Sequence, residues 1–225
     1  MCSCLCTQAL LHFRSLGKRL LFLTNNSSKS RRQYRSKFEA LGIQVAPEEI
    51  VPTSYAAAAY LKSIGFAEVS AAEGKKVFLV GNEGVAQELE AAGIPHTTFE
   101  QVASSGDSAA AALRQRWTAE GFAELQLDRS IGAVVVGWDP SFSYAHLCYA
   151  SACLRELPGC LFVATNLDPA DNMGGWGAGR GGWHWQRGRT TGWLALVCQT
   201  ARRRRLVFSS MRPLHCRCAL QAMGA

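Results

Sequence analysis

Four short apolar runs constrain this chain more than any other feature: residues 20–24, 77–80, 131–137 and 160–165. Each is too short for a buried helix, rich in aliphatic or aromatic residues, and closed by a polar or glycine turn. The turns begin at Thr24, Gly81, Gly137 and Thr165, and the next residues are Asn25, Asn82, Trp138 and Asn166. Between the runs, apolar residues recur at helical spacing. Residues 29–41 place Tyr34, Phe38 and Leu41 on one stripe before Gly42, and residues 83–92 do the same with Val85, Leu89 and Ala92 before Gly93. Residues 143–157 form a further helical stretch. Strand and helix in alternation predict an α/β fold with mostly parallel strands, because a parallel neighbour is reached only through a crossover. Sheets of this kind gather their sites at the carboxyl ends of the strands, where all four turns fall.

The remaining stretches are weaker. Residues 10–18 suit a short amphipathic helix, 50–53 an extended piece after a turn at Pro47, and 55–62 an alanine-rich helix opened by Ser54. Residues 65–75 read as a linker, 97–108 as a polar, turn-rich segment, and 109–120 as helical; 194–197 and 206–208 each suit a short strand. A chain of 225 residues is one large or two small domains. No apolar run approaches the roughly 20 residues of a membrane helix. The start lacks the basic and long apolar segments of a secretory signal, and the stretch before Phe13 is too poor in Arg for an organelle transit peptide. Nine cysteines form an odd count without a regular framework, which points to reduced thiols inside the cell. Cys2, Cys4 and Cys6 lack a fourth ligand at metal-site spacing.

The net charge of +7 is unevenly spread. Residues 173–225 hold nine Arg and four of the six Trp, with no Lys, Asp or Glu, so everything before them is slightly acidic. Arg202, Arg203, Arg204 and Arg205 would attract a nucleic acid or another polyanion, but no recognisable nucleic-acid module surrounds them. Gly175, Gly177 and Gly179 have no strand before them and so do not make a dinucleotide loop.

The turn after the first run concentrates chemistry. Thr24, Asn25, Asn26, Ser27 and Ser28 bring hydroxyls, amides and free backbone N–H groups to a strand end next to a helix start. That combination suits an anion such as phosphate. Ser27 or Ser28 is also expected to cap the helix.

Three segments carry a resemblance: Leu-Leu-Phe-Leu-Thr-Asn-Asn-Ser-Ser-Lys at 20–29, Val-Gly-Trp-Asp-Pro-Ser-Phe-Ser-Tyr at 136–144, and Ala-Thr-Asn-Leu-Asp-Pro at 164–169. In order and spacing, residues 10–172 resemble the phosphoglycolate phosphatase, pyridoxal phosphatase and 4-nitrophenylphosphatase group of the haloacid dehalogenase-like hydrolases. The resemblance implies a Mg²⁺-dependent phosphatase acting on a small phosphomonoester, 2-phosphoglycolate above others. It implies a partial Rossmann-like core at 1–70, an α/β cap at 71–172 and a poorly ordered basic tail at 173–225. Thr24 would hold a phosphoryl oxygen, with Asn25 and Asn26 completing the loop. Asn166, Asp168 and Asp171 would form a specificity loop over the substrate. Asp139 reads as a turn residue before Pro140. Members of the group often dimerise through the cap, which leaves a homodimer open. No membrane is implied, and the compartment would be cytoplasm or plastid stroma.

The group's other motifs have no counterpart. Its Asp-x-Asp nucleophile would lie ahead of Leu10, where there is no carboxylate, and the first Asp is Asp107. It needs a Lys after the cap, whereas the last Lys is Lys76, and a Mg²⁺-binding Asp near the end, whereas the last acidic residue is Asp171. The expectation is a chain with no catalytic nucleophile, no metal ligands and no turnover. Two alternative readings are a non-catalytic phosphate-binding or interaction module and a basic-tailed nucleic-acid binder. The composition of 173–225 is what a shifted reading frame or a retained intron in GC-rich sequence gives, and the start is expected to be truncated before the nucleophile.

Overall fold

The computed structural model describes residues 2–104, 126–166 and 206–208. The order is α1 (Cys2–Ser15), β1 (Phe22–Thr24), α2 (Arg31–Ala40), β2 (Ile50–Pro52), α3 (Thr53–Ser63), α4 (Phe66–Glu73), β3 (Lys76–Val80), α5 (Glu83–Ala91), β4 (His96–Thr98), α6 (Phe99–Ser104), β5 (Ile131–Val136), α7 (Tyr144–Glu156), β6 (Leu161–Ala164) and β7 (Leu206–Phe208). All strand pairs are parallel. Strands β1 and β2 form one sheet, with Phe22 opposite Ile50 and Thr24 opposite Pro52. The other five form a second sheet in the order β4-β3-β5-β6-β7.

The second sheet is covered on both faces, which is why its strands read as unbroken apolar runs. Phe78, Val80, Val134 and Phe162 point to one side, against Tyr149, Ala150, Cys153 and Leu154 of α7 and Phe99 of α6. Val77, Leu79, Ala133, Val135 and Val163 point to the other, against Val85 and Leu89 of α5 and Ala57, Ala58 and Leu61 of α3. The alanines of α3 let its backbone lie close to α5, so the helix that follows the first sheet helps to cover the second. In the first sheet, Phe22 packs on Phe38 of α2 with ring centroids 4.6 Å apart.

Two expectations are corrected. Residues 65–75 are not a linker: Phe66–Glu73 is helix α4, set between Gly65 and Gly74, both left-handed (φ 77° and 65°). The glycines cap a short helix whose first residue, Phe66, is buried in the core beside α3. Residues 97–108 are not simply turn-rich either. His96–Thr98 adds an edge strand beside β3, and Phe99–Ser104 is helical. A three-residue edge strand tolerates polar side chains, so its alternation was too short to see. Residues 206–208 do form a strand, paired with β6. The helix expected at 109–120, the strand at 194–197 and the rest of the basic tail lie outside the described residues.

Candidate functional site

Strand β1 delivers Thr24 to its carboxyl end, and the turn that follows is held by its own side chains. The Asn26 backbone N–H donates to Thr24 Oγ1 at 3.3 Å, and the Ser28 N–H donates to Asn26 Oδ1 at 2.7 Å. Because Thr24 Oγ1 accepts from the backbone, its own O–H is left to donate to a bound group. Thr24 and Asn25 are half-buried and Asn26 is exposed.

The helix cap is neither Ser27 nor Ser28. Ser30 caps α2: Gln33 N–H donates to Ser30 Oγ at 3.3 Å, and the Ser30 N–H donates to Gln33 Oε1 at 2.8 Å. The reciprocal pair is a capping box. Ser27 is drawn inward instead, 1% exposed, where its Oγ accepts the Trp138 N–H at 3.0 Å.

The start of α3, helix α5 and the carboxyl end of β6 grip this turn. Asn166 Nδ2 and Thr53 Oγ1 both donate to the Asn25 carbonyl, at 3.2 and 3.0 Å. Ser54 Oγ donates to the Lys29 carbonyl at 2.7 Å. A methyl group on Gly84, in the first turn of α5, would stand 2.4 Å from Lys29 N. Glu88 of α5 is buried and takes the Arg31 N–H at 2.6 Å and Arg31 Nε at 3.1 Å. A carboxylate of this chain therefore sits at the N-terminus of α2 and stabilises its dipole.

Of the residues expected at the site, Thr24, Asn25, Asn26 and Asn166 come together. Asp168 and Asp171 lie outside the described residues. Asp139 does make a turn, its Oδ1 accepting the Ser141 N–H at 2.8 Å. Sequence reasoning missed Thr53, Ser54, Gly84 and Glu88 as supports of the corner. Gly84, a glycine in a helix's first turn, was the one visible signal.

The corner does not fit Mg²⁺. Its side chains are Thr, Asn, Ser and Lys, its nearest buried carboxylate is committed to Arg31, and no group of three or more His, Cys, Asp or Glu side chains that could hold a metal occurs among the described residues. No helix of the described residues is long and apolar enough to cross a membrane.

Comparison with known proteins accords with this arrangement. Residues 6–95 match the model of the haloacid dehalogenase-like hydrolases. The chain is 46% identical over 160 residues to phosphoglycolate phosphatase 1A, chloroplastic, of Arabidopsis thaliana, covering 71% of this chain and 40% of that protein. It is 36% identical over 161 residues to the glycerol-3-phosphate phosphatase of Gallus gallus, covering 71% of this chain and 46% of that protein. A p-nitrophenyl phosphatase from Archaeoglobus fulgidus shares the fold, with a TM-score of 0.54, 23% identity, and coverage of 88% of this chain and 58% of that one. The chain thus spans less than half the length of these two curated relatives. The parallel α/β sheets, the Thr24 turn and relatives that are phosphatases agree with that match: residues 6–95 carry a haloacid dehalogenase-like hydrolase domain.

Proposed function

We propose that the activity to which this chain contributes is hydrolysis of a small phosphomonoester, with 2-phosphoglycolate preferred, and that these 225 residues alone do not turn it over. What carries the reading is the Thr24 corner: a hydroxyl free to donate, at the end of a parallel strand, beside exposed Asn26 and Lys29. Thr24 and the backbone of Asn25 and Asn26 hold phosphoryl oxygens, and Lys29 supplies a nearby positive charge. Asn166, with Asp168 and Asp171 after it, selects the rest of the substrate. The preference for 2-phosphoglycolate rests on the identity to the Arabidopsis relative, which exceeds that to the glycerol-3-phosphate phosphatase. Hydrolysis needs a carboxylate or activated water opposite the leaving oxygen. Among the described residues, the buried carboxylate beside the corner, Glu88, is held by Arg31, and none of them stands ready to attack phosphorus.

We further infer a division into core (1–70), cap (71–172) and basic tail (173–225), with a homodimer formed through the cap and a plastid or cytoplasmic location. The test is titration of the full chain with 2-phosphoglycolate and with glycerol 3-phosphate, followed by calorimetry. Saturable binding, tighter for 2-phosphoglycolate and weakened about tenfold by Thr24→Ala through loss of one charge-assisted hydrogen bond, is expected. Binding that ignores Thr24→Ala would overturn the assignment of the corner.

A further inference from the structure

The Asn25 carbonyl and the Asn26 N–H belong to one peptide unit, planar and conjugated, so a change at the oxygen is felt at the nitrogen. That oxygen takes donors from two distant parts of the chain. Thr53 Oγ1, at the start of α3, donates at 3.0 Å, and Asn166 Nδ2, just past β6, donates at 3.2 Å. A carbonyl oxygen has two lone pairs, so both donors are accommodated. On the other side of the same unit, the Asn26 N–H donates to Thr24 Oγ1 at 3.3 Å. The Thr24 hydroxyl then has its own proton to give.

We propose that Thr53 and Asn166 are positioning residues for phosphoryl binding, acting through the Asn25–Asn26 peptide to make the Thr24 hydroxyl a better donor, an inference that rests on the phosphoryl assignment of this corner. Donors on the Asn25 oxygen withdraw electrons from the peptide nitrogen and polarise the Asn26 N–H. A polarised N–H pulls harder on Thr24 Oγ1, and a hydroxyl oxygen that accepts gives its own proton more readily. The effect also runs backwards. An anionic oxygen accepting from Thr24 makes Oγ1 a better acceptor and draws in the Asn26 N–H, the longest of the links. The relay therefore tightens when a phosphoryl group is bound.

Its setting favours such coupling. Thr53 is fully buried, and Thr24, Asn25 and Asn166 are half-buried, where hydrogen bonds polarise one another more than in open water. The turn is also held in place on either side of the relay. The Ser28 N–H donates to Asn26 Oδ1 at 2.7 Å, and Ser27 Oγ accepts the Trp138 N–H at 3.0 Å. Thr24 ends a strand of the first sheet and Asn166 follows a strand of the second. The seating of one sheet against the other thus sets the donor strength of a hydroxyl that neither Thr53 nor Asn166 needs to leave its place to assist.

The test is calorimetric titration of the full chain with inorganic phosphate, which has no organic remainder for Asn166 to select, together with NMR of the Asn26 amide. Thr53→Val and Asn166→Ala should each weaken phosphate binding about two- to threefold, a fraction of one charge-assisted hydrogen bond. Thr53→Ser keeps the hydroxyl and should restore the parent affinity. In a Thr24→Ala background neither replacement should weaken binding further, whereas a merely structural role would persist there. In the chain without phosphate, Thr53→Val and Asn166→Ala should move the Asn26 amide signal upfield as its N–H loses polarisation. An Asn26 signal that stays put, or losses of affinity that keep their full size in Thr24→Ala, would overturn the relay. Phosphate binding indifferent to Thr24→Ala would instead overturn the assignment of the corner, and the Asn26 signal would still decide whether the relay exists.

Discussion

Gly84 has no room for a side chain: an added Cβ would stand 2.4 Å from Lys29 N and 2.5 Å from Ser28 C, both backbone atoms. Backbone cannot step aside as a side chain can, so Gly84→Ala is expected to cost about 3 kcal/mol, the upper end for overpacking. At Gly137 the nearest atom is Ser27 Oγ at 2.9 Å, a side chain able to rotate, so Gly137→Ala should cost less. Thermal unfolding of the two variants checks the order. Two aspartates give opposite pH dependences. Burial works to raise the Asp128 carboxyl, but hydrogen bonds from Lys76 and Ser130 outweigh it and leave the group below its ordinary range. Its stabilisation is present above the usual carboxylate range and is lost as pH falls through the lowered value. Asp139, held high mainly by burial, favours the fold at low pH and loses that contribution as pH rises through its raised value. Asp139→Asn should therefore melt higher than the parent at neutral pH, with the gap closing in acid. Single residues were the least legible scale in the sequence. The Thr24 turn was visible because strand end, hydroxyl and amides are contiguous, whereas Glu88 reaches the corner from 57 residues away.

At the scale of elements, Ser30 shows what local pattern can and cannot reveal. Ser30 and Gln33 have capping-box spacing, yet Ser27 and Ser28 are equally good caps by type. Ser27 was unavailable because the second sheet claims its hydroxyl through Trp138. Ser30→Ala should lower stability by about 1 kcal/mol, read by chemical denaturation. The strands of the second sheet were legible because burial on both faces makes them continuous apolar runs. Strand β4 was not, since a short edge strand needs no such run. Helix α4 was hidden by its two glycines, which suggest a linker until Phe66 is seen to anchor it in the core. Tyr149 joins elements in the other layer: it is buried against Phe78 and its hydroxyl takes the Asp128 N–H at 3.2 Å.

At the scale of the molecule, the two sheets meet through α3 against α5, Arg31 against Glu88 and the Thr24 turn against Gly84 and Gly137. The sequence showed strands alternating with helices, but not that α3 serves the second sheet, because an alanine-rich helix carries little directional pattern. Shared burial should make the sheets open together. Hydrogen exchange of peptides from β1–α2 and from β5 should report similar opening energies, and much faster exchange in β1–α2 would show that the halves are uncoupled. The most direct measurement of the whole account is phosphate release from 2-phosphoglycolate by the purified chain, with Mg²⁺ and with chelator. The expected result is no release above buffer, since among the described residues the carboxylate beside the Thr24 corner, Glu88, is held by Arg31. Mg²⁺-dependent release that disappears in Thr24→Ala would contradict it, and would mean that the chain places a nucleophile at that corner.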